Sequence, residues 1–384
     1  MRRWRWAAMA GLVVVAAGVV VVAVDPAGPD TEADAGPIVV SRSGCGAGWV
    51  APPPGPQTLQ VRNTGAVTME VELVDPATGT VFGELEGVGS GTTRALPVNL
   101  ADGAYALRCA PEDGTPFVGP TVRVSGGARR PGPAVVPVTN ADLLEPLKKY
   151  HQYVAEGLTT LAGQTAALDN AVHSGDREAS ERAWLAAHLT YERLGGAYDA
   201  FGDADGAVNA TTAGLAGGAA DPGFTGFHRL ENGLWHNEEP AALEPVARRL
   251  DADVRQLRTA FGDAQVDQND LGQRAHEIME NTLQFELTGR TDYGSGSTLA
   301  TVQANITGTR AVLDVLRPLL VTRFPGLADL DVWLDRTERD LRTAPGTSLA
   351  NLTQARREKI NADVAELTER LAPIAAIAEP RRIS

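Results

Sequence analysis

The chain has 384 residues and a formal net charge of −14. That length allows two or three domains with cores of their own. The acidity argues against nucleic acid, whose phosphates it repels, and makes cations the more natural ligands.

The chain opens with MRRWRW and then runs apolar from Ala7 to Val24. Arg2, Arg3 and Arg5 hold that end in the cytoplasm. Eighteen apolar residues exceed a usual signal core and approach a membrane span. Residues 1–24 therefore read as a cleaved signal peptide or as an uncleaved anchor, with no clean A-x-A site and no lipid-bearing cysteine. Either way the remainder is expected outside the cytoplasm, periplasmic or at the cell surface, tethered through residues 7–24 if the anchor is kept. Residues 25–36 are a polar linker rich in Pro, Gly and Asp,.

From 37 to 127 the texture is short alternating runs split by Gly and Pro. In VTMEVEL, Val67, Met69, Val71 and Leu73 alternate with Thr68, Glu70 and Glu72; in YALRC, Tyr105, Leu107 and Cys109 share one face and Arg108 takes the other. This period of two predicts a small β-sandwich. GVGSGTT is not followed by lysine and reads as a turn rather than a phosphate loop,. A second linker covers 128–138.

From 139 to 384 the period becomes helical. Leu143, Leu147, Tyr150, Val154, Leu158, Leu161, Leu168 and Val172 form one stripe,. Further helices are expected over about 176–200, 241–261, 269–288, 297–322, 327–343 and 349–378, with a short one inside GFTGFHRLENGLW, residues 223–235. Mostly short connections predict an antiparallel helical bundle.

Three helical pairs carry imidazole and carboxylate together. His228 and Glu231 are three apart, with Thr225 as the expected N-cap. His188 and Glu192 are four apart, as are His276 and Glu280; Asp199, Asp203 and Asp205 follow the first of these pairs and Glu286 follows the second. Imidazole with carboxylate suits iron, copper, zinc or manganese. The plainer reading, a hydrogen-bonded histidine beside a surface glutamate, stays open. Phe227, Leu230 and Leu234 place Glu231 at the edge of an apolar stripe, where a carboxylate needs a partner. Neither histidine helix holds His-Glu-x-x-His, and Asn232 stands where an inverted zincin motif needs histidine,. Cys45 and Cys109 lie 64 residues apart; they read as a disulfide, worth about 4 kcal/mol, or as two thiolate ligands for copper.

Together GFTGFHRLENGLW, YERLGGAYDAFGDADGAVNA and ENTLQFELTG resemble the EfeO family of iron-uptake components, which joins a cupredoxin-like β domain to an imelysin-type helical domain. The resemblance runs from about residue 37 to the C-terminus and is strongest between Tyr191 and Gly289. It implies a metal site with His228 and Glu231 as core ligands and Glu192 and Asp205 as partners. The family loop often ends in aspartate where this chain has Asn209, which offers a neutral carbonyl oxygen and less charge. In the β domain the resemblance implies a copper or ferric site drawn from Cys45, Cys109, Glu70, Glu84 and Glu86. Leu107 stands there where methionine is common, and TGRTDY replaces an acidic stretch.

The function these implications support is an exported metal-binding component that captures ferrous or ferric iron and delivers it to a membrane permease, with a haem peroxidase as a further system partner. Two rivals remain. In a zinc metallopeptidase, His228 and Glu231 would need a third ligand and a base, and no glutamate adjoins His228,. The other rival is a metal-free adhesin or assembly module.

Overall fold

The computed structural model describes residues 36–127, 134–262, 264, 266–342 and 347–381. The signal or anchor segment, the linker up to residue 35 and part of the second linker lie outside the described residues. From Pro37 onward the described residues form one compact unit. Among the described residues no helix is long and apolar enough to cross a membrane.

The N-terminal part is a two-sheet sandwich. Its strands are β1 (Ile38–Ser41), β2 (Gly44–Ala47), β3 (Gly55–Asn63), β4 (Met69–Val74), β5 (Val81–Val88), β6 (Thr93–Leu100), β7 (Gly103–Pro111), β8 (Phe117–Val118) and β9 (Val122–Val124). One sheet has the order β2-β1-β3-β6, and the other β5-β4-β7-β8 with β9 also paired to β7. Among the described strands only the β1–β3 pair is parallel. The alternation in the sequence sets the packing: Val61, Met69, Val71, Leu73, Leu96 and Leu107 fill the space between the sheets,. The turn expected at GVGSGTT joins β5 to β6.

The expected outward face of β4 departs from plan. Glu72 is 1% exposed and Arg108, its cross-strand partner on β7, is 4% exposed. They form an ion pair with each other. Glu84 on β5 also stands opposite Glu72. Two glutamates face to face would repel. Arg381, near the end of the chain, relieves this by holding both Glu84 oxygens at 3.0 and 3.1 Å and lying 3.8 Å from Glu72. The segment bearing Arg381 is itself pinned, since Arg381 N donates to Val138 O at 2.7 Å. The face is therefore covered by the far end of the chain, which strand alternation cannot reveal.

The helical part contains α1 (Asn140–Ser174), α2 (Arg177–Glu192), α3 (Tyr198–Phe201), α4 (Asp203–Val208), α5 (Gly226–Trp235), α6 (Pro240–Phe261), α7 (Gln268–Gln284), α8 (Thr298–Arg323), α9 (Leu327–Arg342) and α10 (Gln354–Ala378). Thr139 starts α1 with a reciprocal cap: its hydroxyl accepts from Asp142 N at 3.2 Å, and Asp142 accepts from Thr139 N at 2.8 Å,. Gly175, at φ 74°, ends α1 in the left-handed conformation,. The predicted stripe is buried along α1, with Leu147 at its margin, and packs against α2, α6 and α8.

The helix expected over 176–200 stops at Glu192 and continues as a tighter turn, Gly195–Ala197, and then as α3. The cause is close packing: a Cβ on Gly196 would lie 2.3 Å from Tyr150 Oη and 3.0 Å from Val312 Cγ2. The break turns the chain back over α1 and α8, and this brings the 203–209 segment beside α5.

Candidate metal centre

Two helices supply the core of the site. On α2, four-residue spacing sets His188 and Glu192 on one face; on α5, three-residue spacing does the same for His228 and Glu231. The helices pack together, and all four side chains are buried, at 3%, 5%, 3% and 1% exposure. The His188 and His228 rings meet edge to face at 5.4 Å between centroids. Trp184 stacks on His188 at 4.7 Å and fixes α5 by donating from Nε1 to Phe227 O at 2.8 Å.

Local sequence explains why α5 fits so closely. Thr225 is the N-cap, as expected, but its hydroxyl does not cap the helix; it donates instead to Ala207 O at 3.2 Å. Gly226 follows at φ 74°, and a Cβ there would lie 2.1 Å from Val208 O. Only glycine allows that approach and that backbone conformation at no steric cost. The result sets Asn209 next to Glu192, with Asn209 Nδ2 donating to Glu192 Oε1 at 3.1 Å.

The two histidine–glutamate pairs are built in opposite senses. His228 Nδ1 and Glu231 Oε2 are 3.3 Å apart, while Glu231 Oε1 accepts from Tyr293 N at 3.0 Å, Ser295 N at 3.1 Å and Ser295 Oγ at 2.5 Å. Glu231 is thus tied to a loop and to the back of the imidazole. On α2, His188 Nε2 lies 3.2 Å from Glu192 Oε1. Asn305, its amide oriented to satisfy its neighbours, donates to Glu192 Oε2 at 3.1 Å and accepts from Thr282 Oγ1 at 3.0 Å.

A cavity of about 700 Å³ adjoins these groups, and His228, Glu192, Asn209, Asn305, Tyr293 and Glu286 are among its lining residues. Glu286 lies in the tight turn Glu286–Thr288 that follows α7. Burial alone would raise both Glu192 and Glu231. Their hydrogen bonds to His188 and His228 and the charges of both histidines outweigh it, so each carboxyl sits below its ordinary value,. Burial also opposes the charged form of His188, but Glu192 overcomes it and raises the imidazole. Glu286 has no such pairing: burial first, then the Glu192 charge, push it up to about 7. The site therefore holds partly compensated negative charge on buried side chains beside a cavity, an arrangement suited to a cation,.

The structure brings together part of the set expected from sequence. His228, Glu192 and Asn209 line the cavity. Asp205 instead accepts from Tyr191 Oη, and burial raises its carboxyl. Asp199 pairs with Arg274. His276 and Glu280, 3.7 Å apart and partly exposed, do not line the cavity. Among the described residues, no three His, Cys, Asp or Glu side chains are arranged as they stand to hold one ion.

Glu286, a candidate from the sequence, was expected within a helix running to 288; α7 instead ends at Gln284 and Glu286 lies in the turn that follows. Two further contributors are absent from the sequence candidates. Asn305 gave no signal, being a buried amide inside an apolar helix. The loop TDYGSGS carries its signal in its Gly, Ser and Asp content: Asp292 Oδ1 accepts from Gly294 N and Gly296 N, both at 3.0 Å, and so shapes the loop that grips Glu231,.

In the β-sandwich, Cys45 and Cys109 are joined as a disulfide with Cα atoms 5.9 Å apart. Of the two readings of the cysteines, this corrects the thiolate pair: neither sulfur is a thiolate available to copper. Glu70 stands opposite Ala110 on the sheet face away from Cys109, which pairs with the core residue Val71. Glu84 is bound by Arg381 and Glu86 is exposed on the same strand. The carboxylates and the cysteines therefore do not share a site.

Fold and site define a two-part chain: a β-sandwich joined to a helical body enclosing paired histidine–glutamate side chains. The chain belongs to the imelysin family, whose model matches residues 146–374. It is similar to proteins named iron uptake system component EfeO. That of Yersinia pestis is 28% identical over 345 residues, covering 88% of this chain and 90% of the relative. That of Yersinia pseudotuberculosis is 27% identical with the same coverage. That of Escherichia coli K12 is 28% identical over 306 residues, covering 77% and 79%. The longer matches extend beyond the helical part, so the resemblance seen in the helical motifs holds for the β-sandwich as well.

Proposed function

We propose that the protein is an extracytoplasmic binding component of an iron-uptake system, taking ferrous or ferric iron at the α2–α5 site for delivery to a membrane permease. The observation that carries this reading is the shared cavity: His228 faces it with Glu231 behind the ring, and Glu192 and Glu286 line it with His188 behind Glu192. In this reading His228 binds through Nε2, because Glu231 occupies the Nδ1 side. A carboxylate behind a ligating imidazole fixes its tautomer and raises its basicity. Glu231 is then a positioning residue rather than a direct ligand, and Glu286 takes the ligand place that the resemblance implied for Glu231. Asn209 and Asn305 steady Glu192 through neutral amides.

Support also comes from the relatives, whose names give iron uptake as their role. The disulfide suits an oxidising compartment, and an export segment at residues 1–24 suits the same location. A permease and a haem peroxidase as system partners belong to this proposal through the resemblance alone. The zinc peptidase rival gains nothing at the expected base position: Arg229, next to His228, is locked to Glu238 by hydrogen bonds of 2.8 and 2.7 Å.

The test is titration of the protein with Fe(II) and Fe(III) beside Glu192→Gln and Glu286→Gln. Both variants are expected to weaken iron by at least about tenfold, as loss of a charged ligand in a buried site costs more than 1.4 kcal/mol. Iron binding equal to that of the parent in both would overturn the reading.

A further inference from the structure

The cavity is too large for its proposed cargo alone. Six waters around an ion, at about 30 Å³ each, fill roughly 200 Å³. The cavity measures about 700 Å³, within the range of sites that hold small organic molecules, about 300–1,000 Å³. A metal ion seated at His228, Glu192 and Glu286 would occupy one end, and these three groups leave open positions on a six-coordinate iron.

The rest of the lining has a different character. Arg290 lines the cavity, is exposed, and makes no side-chain hydrogen bond or ion pair among the described residues. Arg274, the other cationic lining residue, is engaged by Asp199 and Glu277. Phe285 also lines the cavity and is 52% exposed, an unusual place for a large apolar ring,. One cavity thus combines buried carboxylates and imidazole with a free guanidinium and an open aromatic face. An aquo ion uses only the first set.

We infer that the site takes iron as a complex with a small hydroxy-polycarboxylate, whose oxygens fill the open coordination positions while a further carboxylate pairs with Arg290. This rests on the iron-binding reading above. It is a binding step only: no bond within the anion forms or breaks, and the metal keeps its oxidation state. Arg290 suits the task because a guanidinium binds carboxylate through two parallel hydrogen bonds. It also balances negative charge that Glu192 and Glu286 would otherwise repel.

The test uses the full-length chain, radiolabelled ferric iron and radiolabelled citrate as the probe anion, in equilibrium dialysis. Citrate is expected to be retained with iron in equal amounts, and to be absent when iron is omitted. Arg290→Ala is expected to lower retention of ferric citrate about tenfold, with Arg290→Lys intermediate, because lysine keeps the charge and loses the fork. Arg290 is exposed, so both variants are expected to fold as the parent does. With both labels present, iron retained while the citrate stays free, or equal retention of ferric citrate by parent and Arg290→Ala, overturns the inference while leaving iron binding intact. Undiminished iron retention by both Glu192→Gln and Glu286→Gln overturns the underlying reading as well.

Discussion

Gly226→Ala tests the close approach on which the centre is built. The backbone there has φ 74°, and the new Cβ would lie 2.1 Å from Val208 O, 2.5 Å from Val208 C and 2.8 Å from Ala207 O. All three atoms are backbone, so no side chain can swing aside. Holding alanine in the left-handed region costs about 1–2 kcal/mol, and the overpacking adds about 1–3 kcal/mol. Lower entropy of the unfolded chain returns about 0.4–1 kcal/mol. The net loss is therefore about 1–5 kcal/mol, or several degrees of melting temperature at about 2–4 °C per kcal/mol. Relief of the clash moves α5 against α4 by roughly an ångström, which separates His228 from the Asn209–Glu192 pair and weakens iron with it. Gly206→Ala is the control: it lies in α4, and its Cβ would have nothing within 4 Å, so alanine there is expected to be neutral or stabilising. Urea unfolding of both variants and iron titration of both provide the assay. A Gly226→Ala protein as stable as Gly206→Ala would refute the packing argument.

Three further outcomes follow from the geometry. Glu286 keeps its proton to about pH 7 when folded but loses it near its ordinary value when unfolded, so the metal-free protein binds more protons folded than unfolded in that window. Its stability is expected to fall as pH rises through the window, by about 1.4 kcal/mol per unit, and Glu286→Gln is expected to flatten that part of a pH–urea profile. A Cys45→Ser/Cys109→Ser double variant is expected to lose roughly 4 kcal/mol of β-sandwich stability and to bind iron as the parent does; altered iron affinity would contradict the separation of the disulfide from the metal centre. Arg381→Ala leaves Glu84 and the buried Glu72 short of a cation, so a loss of roughly 1–3 kcal/mol and faster protease cleavage between sandwich and bundle are expected.

Much of this molecule follows from its periodicities. The α1 stripe, the inward Met69, Val71 and Leu73 of β4 and the His-Glu spacings all depend on near neighbours, and these carry through to the structure. What the sequence hides is set by distant partners. Glu72 and Arg108 look like a solvated face until Arg381 covers them. Glu231 gives no sign in the sequence that the 293–295 loop holds its Oε1. Asp205 looks available until Tyr191 claims it, and Asn305 is silent because an amide in an apolar helix has no pattern of its own. The break at Gly195–Gly196 interrupts the helix expected over 176–200, and its cause, the approach of Gly196 to Tyr150 and Val312, is tertiary.

The central claim is that His228 binds iron while Glu231 holds it in place. The most direct measurement is anaerobic Fe(II) titration of the parent, His228→Ala and Glu231→Gln, with Cu(II) and Zn(II) for comparison. The account predicts that His228→Ala abolishes tight iron binding and that Glu231→Gln, which keeps an acceptor for Ser295 but loses the charge behind the ring, weakens it about 10–100-fold. Iron binding unchanged in His228→Ala would contradict it and return His228 to an ordinary packed histidine.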